Sequence, residues 1–118
     1  MTAADESNPQ FERQLFHHED AGIRVHIRLG FAGERLKLDG YDIGPTVKEL
    51  RGDSDYEYAI TLQGAGLEQL YRLSGLAPGR KRELVDHLAE RFSLNEAFSL
   101  FRAYLLEKEI QFESFTWD

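Results

Sequence analysis

The sequence predicts an α+β fold: an antiparallel β-sheet of hairpin or meander type, then about three helices packed on one face, then a C-terminal return strand. Three observations carry this. Apolar residues alternate with polar ones through much of the first half, they switch to helical spacing after about residue 63, and β-forming residues return over the last eight positions. A run of strands followed by a run of helices implies segregated layers around one core. At 118 residues the chain has the length of a single domain, expected over 11–118 behind a flexible, acidic tail over 1–10.

The clearest strand is Ile23–Phe31, with apolar residues at every odd position and polar residues or glycine at every even one. Residues 12–18 are a candidate preceding strand, though adjacent Leu15 and Phe16 break their alternation. Arg35 to Asp39 alternates again, and parity constrains the hairpin. Leu36 and Leu38 share a face with Ile27, Leu29 and Phe31 only if the connection has an even number of residues. A connection of two residues, Ala32-Gly33, sets His26 opposite Asp39; one of four, Ala32 to Arg35, sets Arg28 there. Gly44 to Leu50 suits a single helical turn with Pro45 at its first position, where the missing N–H costs nothing. Tyr56, Tyr58, Ile60 and Leu62 mark another strand. The two tyrosines are expected in the core, with hydroxyls at its rim.

Leu67, Leu70 and Tyr71 then open the helical part, on a short helix ending near Ser74-Gly75. Leu84, Val85, Leu88, Ala89 and Phe92 continue it over about 79–92. Ser93-Leu94-Asn95-Glu96 has the form of a capping box, and Leu94, Phe98, Phe101 and Leu105 run a stripe beyond it. Ile110 to Trp117 reads as the return strand. Its apolar phase slips between Phe112 and Phe115, which suggests a bulge or two covered faces.

Composition narrows the function. The net charge of −7 disfavours nucleic acid, whose affinity comes mainly from Lys and Arg neutralising phosphates, and favours cationic partners. Without cysteine there are no disulfides or thiolate metal sites. The polar start of the chain is unlike a secretion signal, and no apolar run is long enough to span a bilayer. A cytoplasmic protein is expected.

The richest stretch is residues 39–57, where six acids meet two bases, a local balance of −4 within the −7 overall. Asp39, Tyr41, Asp42, Asp53, Asp55 and Glu57 are the candidate partner-binding residues, expected as an acidic, tyrosine-containing loop surface, with Trp117 as a further aromatic anchor. Phe115 and Trp117 near the C-terminus are expected to be pinned to the core rather than exposed. Other chemistry finds little footing. Asp53, Asp55 and Glu57 lack the spacing and the terminal glutamate of a calcium loop. His17 and His18 are consecutive, so on a strand they point to opposite faces. No nucleophile elbow is present, and acids in glycine-rich turns lack the apolar surround that tunes a catalytic carboxylate. Arg80-Lys81-Arg82 opposes the dipole at a helix start and, beside Glu83 and Asp86, reads as a solvated face. No catalytic residue, metal or cofactor is expected.

Leu38-Asp39-Gly40-Tyr41-Asp42-Ile43-Gly44, then Gly52-Asp53-Ser54-Asp55-Tyr56-Glu57-Tyr58, then three helices and Ile110-Gln111-Phe112-Glu113 resemble a family of small uncharacterised bacterial proteins. In that family a G-x-D-[IL]-G turn precedes a G-D-x-[DE]-Y-E-Y strand, and a [IV]-x-[YF]-E strand closes the chain. The resemblance covers residues 23–118. In size and charge such proteins are similar to the immunity proteins of bacterial toxin systems, which implies a non-catalytic inhibitor capping a basic toxin domain. A regulatory or adaptor protein acting by self-association is the alternative, and a carboxylate- or metal-dependent enzyme a third.

Overall fold

A computed structural model describes residues 10–52 and 55–117. Five strands form one antiparallel sheet in sequential order: β1 (Gln10–Glu19), β2 (Arg24–Ala32), β3 (Arg35–Ile43), β4 (Asp55–Leu62) and β5 (Glu113–Trp117). Helix α1 (Pro45–Arg51) joins β3 to β4. Helices α2 (Gly64–Leu73), α3 (Lys81–Phe92) and α4 (Ala97–Glu107) lie between β4 and β5 in the chain. The α+β class follows, with three strands ahead of any helix and a strand at the C-terminus.

The core lies between one sheet face and the helices. Val25, Ile27, Leu29, Phe31, Leu36, Leu38, Tyr58, Ile60 and Leu62 from the strands meet Leu67, Leu70, Leu84, Val85, Leu88, Phe101 and Leu105 from the helices. The pleat sends alternate side chains to opposite faces, so the intervening residues of β2, β3 and β4 form a second face, opposite the one that α2, α3 and α4 pack against.

The β2–β3 register sets Arg28 opposite Asp39, and Ala32 and Arg35 pair as well, so the connection is the two residues Gly33-Glu34 rather than the four from Ala32 to Arg35. Gly33 takes φ 62, a left-handed conformation at the first turn position that glycine adopts without strain. Asp20 closes the β1–β2 turn by accepting the backbone N–H groups of Gly22 and Ile23 at 2.7 and 3.0 Å. Those bonds and the His18 imidazole at 2.8 Å favour its ionised form. The His18 contact leads in holding the carboxyl below its ordinary range.

β1 is a full strand despite its broken alternation. Gln14 pairs with Arg28 and Phe16 with Ile27, so Leu15 is the extra residue of a bulge. That is why two adjacent apolar side chains both serve the core.

Three local expectations are corrected. The capping box does not form: α4 starts at Ala97, and the Ser93 hydroxyl turns back to the Ala89 carbonyl at the end of α3. The return strand begins at Glu113, and its ladder with β4 runs without a register shift. The apolar slip instead marks Ile110, which is buried ahead of the strand. Finally, Phe115 is not pinned to the core but is 51% exposed.

Candidate protein-binding face

The helix-free face is organised in rows running across the strands. One row crosses the entire sheet: His17, His26, Tyr41, Glu57 and Trp117 stand opposite one another in register from β1 to β5. Their rings interlock through the first three strands. His17 and His26 lie 5.7 Å apart, His26 and Tyr41 also 5.7 Å, and both pairs are edge-to-face. Burial, followed by the charges of Arg28 and His17, holds the His26 imidazole below its ordinary pKa.

On one side of this row stand Arg24, Ile43 and Asp55 in register. On the other stand Arg28, Asp39, Ala59 and Phe115. Arg28 donates to Asp39 at 2.8 Å, while its Nε lies 3.8 Å from Glu12. Burial opposes the Arg28 charge, but Asp39 and then Glu12 outweigh it and raise its pKa. The next row carries Lys37, Thr61 and Glu113. Here Ala32, Ala59 and Phe115 join Arg35, Lys37, Thr61 and Glu113 around a shallow groove of about 260 Å³.

The structure therefore places Asp39, Tyr41, Asp42, Asp55 and Glu57 on β3 and β4 rather than in loops, brings all but Asp42 onto one face and takes Asp42 to the other. Asp42 follows Leu36, Leu38 and Gly40 in parity, so it points toward the helices. There the Tyr58 hydroxyl donates to it at 3.0 Å. That bond requires Tyr58 to lie flat over the backbone of Gly40, where a Cβ would come within 2.7 Å of the ring. The phenol is pushed well above its ordinary pKa, by burial first and by Asp42 second. Asp53 lies outside the described residues, and only the backbone of Trp117 is described.

Sequence reasoning missed the two histidines. Consecutive His17 and His18 do point apart, as expected, but His17 finds His26 on the adjacent strand. Cross-strand register is the signal that joins them, and the β1 bulges hide it. The three carboxylates Asp39, Asp55 and Glu57 stand in three different rows of the face. Among the described residues, no three groups of metal-binding type are close enough to hold an ion. No described helix is long and apolar enough to cross a membrane. No protein-family profile, no curated protein and no solved structure matches the chain.

Proposed function

We propose that this is a non-catalytic protein-binding module of the cytoplasm, most specifically an immunity-type inhibitor. In this reading it caps a basic toxin domain with the helix-free face of its sheet. The observation that carries this is the Tyr41 row. A half-buried tyrosine is held between His26 and the register position of exposed Glu57, with exposed Asp55 one row further on. Such an arrangement offers a rigid amphipathic anchor beside negative charge. The carboxylates steer a cationic partner in, and the aromatic ring slows its departure. Asp39 acts less through its own charge than by holding Arg28 flat against the face. Asp42, bonded to Tyr58, supports the sheet from behind rather than touching the partner.

The test is kinetic. Asp55→Asn with Glu57→Gln is expected to slow association with the basic partner about tenfold at low salt and to flatten its dependence on ionic strength. Tyr41→Ala is expected to act mainly on dissociation. A toxin-bearing reading frame beside the gene supports the same reading. A partner whose binding ignores both ionic strength and these substitutions overturns it.

A further inference from the structure

The sheet has two edges, and they are guarded very differently. On β1 the pairing is interrupted twice, between Gln10 and Arg13 and between Gln14 and Phe16, and Phe11 takes a left-handed φ of 56. Bulges and a twisted backbone of this kind spoil an edge as a template for another strand. β5 has none of these devices. Glu113 to Trp117 pairs with β4 without interruption and contains neither proline nor lysine. Each of Glu113, Ser114, Phe115 and Thr116 is exposed, so the strand lacks the one covered face that a strand normally has. No described strand pairs with its outer N–H and C=O groups.

We propose that the free edge of β5 takes up an extended segment of the partner, giving the sheet a sixth strand. On the helix-free face that segment places a basic residue opposite Glu113, an apolar residue opposite Phe115 and a second basic residue opposite Trp117. The proposal rests on the reading of the face given above, and it names how the partner engages it. Main-chain hydrogen bonds supply the attachment, and alternate side chains supply the choice of sequence.

Charge selects the occupant. An added strand lies about 5 Å from β5, so its first open-face residue directly faces Glu113. The carboxylate of Glu113 has no ion-pair partner among the described residues. The residue opposite Trp117 lies roughly 10 Å from Glu57, within the reach of a lysine or arginine side chain. The cations Arg35 and Lys37 sit on β3, two strands further in than Glu113, with backbones roughly 14 Å from the added strand. A second copy of the chain fits worse. Antiparallel self-pairing about Phe115 sets Glu113 opposite position 117 of the other copy, where it meets no cation, and each copy carries −7. A five-residue edge is also only about 17 Å long, too small an interface for a stable dimer. Added to the contiguous Tyr41 face, the same edge extends the interface proposed there.

The experiment follows backbone amide resonances and hydrogen exchange of the full chain as a synthetic peptide is added. The probe has the core Lys-Thr-Val-Thr-Lys, which reads the same in both strand directions. Its companions are Glu-Thr-Val-Thr-Glu and two versions of the basic peptide N-methylated at alternate positions. The expected result has three parts: shifts and slowed exchange over residues 113–117, about tenfold weaker binding of the acidic peptide, and loss of binding on N-methylation at one parity only. Shifts confined to β3 and β4 overturn strand addition while leaving the binding face standing. Parity-dependent binding of both peptides with equal affinity overturns the basic pattern, and with it the acidic reading of the face. A concentration-dependent doubling of the 13.6 kDa mass, with β5 protected in the absence of peptide, puts a second copy there and overturns the proposal.

Discussion

β1 and β5 occupy equivalent places in the sheet, one at each edge, yet different forces hold them. β1 is anchored by side chains. Leu15 is buried to 4% exposure, Phe16 packs against the core, Arg13 reaches Asp86 of α3 at 2.6 Å, and the Arg82 guanidinium lies 5.2 Å over the Phe11 ring. β5 is anchored by its backbone. It pairs with β4, but its fixed point is Ile110, buried just ahead of the strand and bonded through its N–H to the Leu105 carbonyl at 2.9 Å. Backbone pairing and burial are thus separable properties of a strand. An edge whose described side chains, Glu113 to Thr116, are all exposed keeps them available to something else.

The largest expected effect tests that separation directly. Leu15→Ala removes a buried side chain from a packed site and is expected to cost about 2–5 kcal/mol in denaturant unfolding. Phe115→Ala, at the opposite edge, is expected to stay within about 0.5 kcal/mol of the parent. Comparable losses at both positions would mean that Phe115 has cover the two-edge contrast denies. Hydrogen exchange sharpens the point without mutation. The β2-facing amides of β1 are expected to open only with much of the domain. Those of β5 facing β4 are expected to exchange through local fraying at least about a hundredfold faster, because few apolar contacts oppose their release. Equal protection at the two edges would break the comparison.

A smaller effect is expected where β1 meets α3. Arg13 and Asp86 are each about half exposed, at 49% and 48%. Solvent screening and side-chain entropy hold such pairs to about 0.2–1 kcal/mol, so Arg13→Ala is expected to fall in that range. A double-mutant cycle with Asp86→Ala isolates the pairwise part. A coupling near zero would leave β1 anchored by Leu15 and Phe16 alone.

How far these differences can be read from sequence depends on what sets them. Parity alone narrows the β2–β3 hairpin to two registers, and the Arg28–Asp39 pair is the contact made in the one adopted. Parity also separates Asp42 from Asp39 and Tyr41, since Leu36 and Leu38 already mark the core side. Counting acids along the chain obscures that division, because charge density has no face. β1 is harder to read: one inserted residue puts Leu15 and Phe16 on the same side, which looks like lost alternation until the partner strand is known. The His17–His26–Tyr41 row depends on that same shift. The motif at Ser93 misleads for a different reason. A serine near a helix boundary can bond forward as a cap or backward to the preceding turn, and here the Ala89 carbonyl is the partner.

The smallest expected effect concerns pH, and it falls on the β1 side of the sheet. His26 sits against His17 from β1, Arg28 on its own strand and Tyr41 from β3, with the carboxylates of Glu12 and Asp39 also acting on it. Burial and the two basic neighbours outweigh those carboxylates, so its folded pKa lies below the ordinary imidazole value of 6.5. Above that value the imidazole is neutral in both states and carries no penalty. As pH falls below it, the unfolded chain takes up the proton first, and folding stability declines until the folded site is protonated as well. Unfolding followed from pH 7.5 to 5 is therefore expected to show a shallow loss of stability that His26→Gln reduces. The same protonation adds positive charge beside Tyr41, so a basic partner is expected to bind less well across that window. β5 carries no histidine, and the exchange rates of its amides, corrected for intrinsic pH dependence, are expected to stay constant. If both edges weaken together as pH falls, His26 acts on the whole sheet, and the division between a packed edge and an open one is less sharp than the side-chain contacts imply.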